Sequence, residues 1–175
     1  GDVTFVGAGN NLAISEIKLP AGSTLTIDGD LGDAAPTISA SAVVGVNGAE
    51  AGAVVFDESG TVSNITLGAA VISDGETVTL GGLVIATSLE AGGAAATLDI
   101  LGSARLVGAT LEDGATGREM TVNVLSGATL EEVEYTVETG DDATHLHAIN
   151  FLGDVTFVGA GNNLAISEIK LPAGS

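Results

Sequence analysis

The chain reads as an all-β protein, and within that class as a parallel β-solenoid, with a β-sandwich completed by strand complementation as the alternative. Three observations carry this reading. Short alternating strands led by threonine recur after glycine-containing turns, as in Thr24-Leu25-Thr26-Ile27, Thr77-Val78-Thr79-Leu80 and Thr97-Leu98-Asp99-Ile100. A two-residue period marks a half-buried strand. The apolar residues are also small: 45% of the 175 residues are hydrophobic, yet there is no Trp, one Tyr and four Phe beside 26 Gly. Sandwiches commonly anchor on a large aromatic, whereas a solenoid stacks Val, Ile, Leu and Ala in layers. Finally, Gly1 to Ser23 (GDVTFVGAGNNLAISEIKLPAGS) recurs letter for letter as Gly153 to Ser175, an offset of 152 residues. Residues 1–152 are therefore read as one all-β repeat unit, and 153–175 as the start of a next repeat, a donor segment or an appended copy.

Taken in order, Val3 to Val6 is a short strand closed by the turn-rich Gly7-Ala8-Gly9-Asn10-Asn11. Leu12 and Ile14 share one face of the next strand. Ile17 and Leu19 resume with shifted phase, which predicts a bulge near Ser15-Glu16. Turn signals follow at Pro20 to Gly22, Asp28 to Gly32, Asn47-Gly48, Asp57 to Gly60, Asp74-Gly75, Gly81-Gly82, Gly92-Gly93, Asp113 to Gly117 and Gly140 to Asp142. Gly108-Ala109-Thr110-Leu111 and Gly127-Ala128-Thr129-Leu130 form a near-identical pair, with Met120 to Val124 between them. Val133, Tyr135 and Val137 alternate with acidic or hydroxyl residues, the pattern of a strand with one acidic face in water. Nothing reads as helix: Gly48 to Val55 and Leu89 to Ala96 are broken by glycine and have no polar helical face. At roughly twenty residues per rung the 152-residue unit makes about seven or eight rungs. With strands about 4.8 Å apart its axial length is roughly 34–38 Å.

Charge and composition exclude several function classes. There are 23 Asp and Glu against Lys18, Arg105, Arg118 and Lys170, a formal net charge of −19. Nucleic-acid binding needs cationic side chains in number to neutralise phosphates, so no nucleic-acid partner is expected. No apolar run approaches 18 residues, so no membrane insertion is expected. Cysteine is absent, which leaves neither disulfides nor thiolate metal sites.

Motifs with chemistry are few. Val6 to Ala13 mimics a dinucleotide fingerprint of the GxGxxA type, with one residue more before Ala13, but that motif needs a following helix, and the residues up to Pro20 alternate as a strand. Asp28, Asp30 and Asp33 place three carboxylates on a glycine-rich loop, a weak Ca²⁺ candidate because calcium takes hard oxygen ligands on flexible loops. Asp141 and Asp142 are a second such candidate, and a solvated turn is the plainer reading of both. Beyond this optional Ca²⁺ no cofactor is expected. His145 and His147 would share one face of a strand, a spacing zinc can use, but no third ligand is evident. No GxSxG elbow occurs, and no carboxylate pair stands out as acid and base. The expectation is that the chain is not an enzyme.

The composition and cadence resemble secreted bacterial repeat proteins, namely adhesin or haemagglutinin-like β-solenoids and surface-layer proteins, which are likewise acidic, free of cysteine and rich in Gly, Ala, Val and Thr. The resemblance implies an extracellular or cell-surface structural role. The duplicated segment adds how units would join. Val3, Phe5, Leu12, Ile14, Ile17 and Leu19, repeated as Val155, Phe157, Leu164, Ile166, Ile169 and Leu171, form an apolar set that needs partners on both sides. We therefore expect head-to-tail self-association into a fibre, adhesin stalk or surface layer, copies of the chain being the partners. Both copies are expected in the same conformation and equivalent surroundings. The alternative is an adhesive module recognising glycan, mineral, ice or Ca²⁺ through acidic faces or Thr-x-Thr ladders such as Thr24/Thr26 and Thr77/Thr79.

Overall fold

The computed structural model describes the backbone of residues 3–6, 11–18, 24–28, 37–44, 53–57, 59–113, 117–136, 148–164 and 168–171, with side-chain surroundings for 54–57, 59–63, 65–113, 117–135, 149–164 and 171. Among these residues every regular element is a strand and none is a helix. The strands follow one another as a coil. The first three rungs are β1 (Val3–Val6) with β2 (Asn11–Lys18), β3 (Thr24–Asp28) with β4 (Thr37–Val44), and β5 (Ala53–Phe56) with β6 (Gly60–Thr66). The fourth is β7 (Ala69–Ile72) with β8 (Thr77–Ile85). The fifth and sixth are β9 (Ser88–Ala91), β10 (Ala96–Ile100) and β11 (Arg105–Val107), then β12 (Thr110–Glu112), β13 (Met120–Leu125) and β14 (Thr129–Glu131). Last come β15 (Glu134–Thr136), β16 (Ala148–Leu152) and β17 (Thr156–Val158), then β18 (Asn163–Leu164) and β19 (Glu168–Lys170).

All pairings are parallel and join each rung to the next. The first strand of every rung lies on one eight-stranded sheet, β1-β3-β5-β7-β9-β12-β15-β18. The remaining strands make a second sheet that divides at β8. Thr77–Leu80 pair with β10, whereas Leu83–Ile85 pair with β11. The later rungs therefore have three faces, and in the early rungs one long strand spans two of them. This is the β-solenoid expected from the cadence, and the sandwich alternative falls away. A parallel stack with both strand faces occupied in alternation needs no hairpins, which is why strong two-residue hairpin signals are scarce.

Register explains the core. Val78, Leu98, Val122 and Ile149 stand in one inward column, and Leu80, Ile100 and Val124 stand in the next. All seven are fully buried. Thr77, Thr97 and Thr121 stack between the same strands on the outward side, so the Thr-led cadence is the imprint of one face. Tyr135, the largest fully buried side chain, continues the column of Ala70, Leu89 and Leu111.

Two local expectations change. Gly81-Gly82 does not end a strand: β8 runs through it, bending where Gly82 adopts φ +61°, a conformation glycine reaches without strain. The phase shift near Ser15-Glu16 produces no register jump either, because β2 keeps one offset to β4 from Asn11↔Thr37 to Lys18↔Val44. In β6, two rungs on, the register does shift between Ser63 and Ile65, at the corner between two faces.

Candidate functional site

The residues that stand out are those at the end of the coil. Inward columns run rung by rung and are buried by the layer above. Above β17, β18 and β19 no further strand lies among the described residues. Leu106 and Leu130 are buried, but Phe157, next in their column, is 47% exposed. Leu164 continues the Tyr135 column and packs only partly against the core, and Leu171 is 66% exposed. Phe157 leans edge-on against Phe151, with ring centroids 5.8 Å apart and planes at 63°. Phe151, Val155, Phe157, Leu164 and Leu171 line an apolar groove of about 350 Å³.

Backbone hydrogen bonds hold this end to the rung below. The Thr156 N–H donates to the Ala128 carbonyl at 3.0 Å, the Gly127 N–H to Asp154 at 2.7 Å and the Asn163 N–H to Val133 at 3.0 Å. Asn162 acts as a clip: its Oδ1 accepts from the Val133 N–H at 2.9 Å and its Nδ2 donates to the Val158 carbonyl at 2.7 Å. The groove floor is thus tied to the rung below.

The two copies of the 23-residue segment do not occupy equivalent positions. In the first, Val3–Val6 lie on the eight-stranded sheet, paired with Leu25–Asp28. In the second, the same residues fall on the third face, Thr156 opposite Thr129 and Phe157 opposite Leu130. Asn11–Lys18 form one strand, whereas their copy is divided between β18 and β19. The expectation of equivalent surroundings is overturned. Residues paired across successive rungs lie 16 to 29 residues apart, from Val54↔Ala70 to Leu25↔Val54 and Tyr135↔Leu164. An offset of 152 therefore need not return the chain to the same face, and an alternating strand fits any face.

The remaining candidates are placed as follows. Val3, Phe5, Leu12, Ile14 and Ile17 sit on β1 and β2, and Ile169 pairs with Ile149. Leu19 and Ile166 lie outside the described residues. Asp28 closes β3 opposite Val6; Asp30, Asp33, Asp141, Asp142, His145 and His147 lie outside the described residues. Among those described, no three His, Cys, Asp or Glu converge to hold a metal. Thr77 and Thr79 share the outward side of β8, but the Thr79 position continues as Asp99, Asn123 and Asn150, so the Thr-x-Thr pattern does not extend. The dinucleotide-like motif ends within the strand β2, where such a motif needs a helix.

Sequence reasoning missed two polar arrangements. Asp113 is 1% exposed, and its Oδ1 accepts hydrogen bonds from the Tyr135 hydroxyl at 2.8 Å and the Met120 N–H at 3.1 Å. Burial first, then the adjacent Asp113 charge and its hydrogen bond, push the Tyr135 phenol well above its ordinary value of 10.0. On the outer side, Asn123 Nδ2 donates to Asp99 Oδ1 at 2.8 Å and Asn150 Nδ2 donates to Asn123 Oδ1 at 2.8 Å. Partners 22 to 27 residues apart leave no local signal, although the rung length, once known, would align them. Comparison with protein-family models, with curated proteins and with solved structures finds no match, so the resemblance to secreted bacterial repeat proteins gains no support from it.

Proposed function

We propose that the protein is an extracellular structural element that assembles head to tail, extending its coil from chain to chain into a fibre, stalk or surface layer. The observation that carries this reading is the open C-terminal rung. Phe157 and Leu171 are exposed over an apolar groove, at the ends of ladders whose strands have neighbours on one side only among the described residues. An uncovered strand end is a template for another strand, and a heterologous contact that does not close produces a filament. The net charge of −19 fits the same role, since self-repulsion keeps filament flanks soluble and apart. Electron microscopy and light scattering of the purified protein over a concentration series test it. Unbranched filaments one coil wide, growing with concentration, are expected. A protein that stays monomeric throughout overturns the reading.

A further inference from the structure

The exact duplication determines which surface of a second chain fits the open rung. In the first copy, β1 receives β3 with Val3↔Leu25, Thr4↔Thr26 and Phe5↔Ile27. The strand β2 receives β4 with Asn11↔Thr37, Leu12↔Ile38, Ile17↔Val43 and Lys18↔Val44. Every one of those lower partners exists again 152 residues later. At the C-terminal end they lie as β17, β18 and β19, which follow each other around the coil on three successive faces and close their ladders. Above β17 the Leu25 position of a second chain meets Val155 and its Thr26 meets Thr156. Above β18, Thr37–Ile38 meet Asn163–Leu164, and above β19, Val43–Val44 meet Ile169–Lys170. The cyclic order of faces is the same in both settings, so the known registers transfer together, rotated by one face.

We propose that the C-terminal copy of one chain takes the place of the N-terminal copy in the next, so that residues 24–44 of a second chain seat on residues 153–171 of the first. This inference rests on the assembly reading above and specifies its junction. Each exchange breaks one interface and makes another between the same residue pairs. The two differ in ordering. The C-terminal copy is already held by the rung beneath it, through Thr156, Asn162 and Asn163. Among the described residues the N-terminal copy pairs only with the rung above it. Releasing it returns conformational entropy, and the exchanged junction is favoured by that amount against the cost of association.

The exchange leaves a measurable geometry. Among the described residues the chain supplies eight layers on the first sheet, eight on the first half of the second sheet and seven on its other half. Stacking whole chains adds all of them, an axial repeat of roughly 37 Å, whereas exchange omits β1 and β2 and gives roughly 32 Å. Each junction also advances the faces by one, so a given face recurs at every third chain.

The absence of cysteine makes disulfide trapping in the full chain clean. In T26C/T156C the two positions lie five rungs apart within one chain, and only exchange brings them together. Oxidation should give a ladder of disulfide-linked multimers on a non-reducing gel. In T4C/T26C the disulfide fastens the N-terminal copy to its own chain, so the oxidised protein should stay monomeric and assemble when reduced. The unaltered protein, imaged by electron microscopy, should show the shorter repeat. If oxidised T4C/T26C assembles as well as the reduced form, or the repeat is the longer one, whole-chain stacking operates and exchange is wrong while assembly stands. If the unaltered chain never assembles, the assembly reading itself fails.

Discussion

Gly108, Glu132 and Gly159 turn the same corner in three successive rungs, with φ of +70°, +53° and +83°. The left-handed region costs a side-chain-bearing residue roughly 1–2 kcal/mol, and only Glu132 bears that cost. Glu132→Gly should therefore raise stability, by up to about 1 kcal/mol after allowing for the freer unfolded glycine. Gly108→Ala, whose added methyl meets nothing closer than 3.8 Å, should lower it by about 1 kcal/mol through backbone strain alone. Urea midpoints of the two variants must move in opposite directions. At Tyr135 the issue is a buried pair. Tyr135→Phe removes a donor from buried Asp113 and should cost about 1–3 kcal/mol. The folded-state phenol pKa lies above the unfolded value of 10.0, so the neutral phenol's contribution is complete below that pH and is lost as pH rises beyond it. With one tyrosine and no tryptophan in the chain, tyrosinate absorbance reports this group alone. Its ionisation should coincide with alkaline unfolding, and titration near 10 in folded protein would contradict the buried pair.

At the scale of the element, the stacked face is where side chains of neighbouring rungs cooperate. Asp99, Asn123 and Asn150 form a hydrogen-bonded file across three strands, an arrangement that satisfies the amides and spreads one negative charge. Asn123→Asp should remove a donor and set two carboxylates side by side, costing about 1–2 kcal/mol at neutral pH. Thermal melts of the variant beside the unaltered protein check it. The strands themselves were legible in the sequence. Thr77–Leu80, Thr97–Ile100 and Met120–Val124 lie side by side on one face, and Asp74-Gly75 and Gly92-Gly93 are corners between strands. The face each strand joins was not legible. Gly108-Ala109-Thr110-Leu111 leads into the eight-stranded sheet, and its twin Gly127-Ala128-Thr129-Leu130 leads into the third face. An alternating tetrapeptide carries its period but no record of how much chain has been wound before it. The apolar end groove was half legible: Phe157, Leu164 and Leu171 were singled out by their duplication, but the groove they line depends on which rung each joins.

For the whole molecule the net charge of −19 opposes both folding and junction formation, because like charges accumulate along one axis. Arg105 pairs with Glu131 and Arg118 with Glu90. Raising salt from about 0.01 M to about 0.15 M shortens the screening length from about 30 Å to about 8 Å. Assembly should accelerate over that range and melting temperature should rise. Light scattering and thermal melts report both, and assembly that slows with salt would show attraction between charges to be the driving force.

The same architecture has a mechanical meaning. Among the described residues every rung is bonded only to the rung before and the rung after it, and the first and last strands lie at opposite ends of the ladders. A pull along the axis therefore loads the rungs in series, and the coil unwinds from an end one layer at a time. Each layer released pays out its own length of chain, 16 residues between Val54 and Ala70 and 29 between Tyr135 and Leu164, roughly 55 to 100 Å when drawn straight. The coil is a shock absorber whose steps are uneven in a fixed order, with the succession of corner lengths written into its force trace.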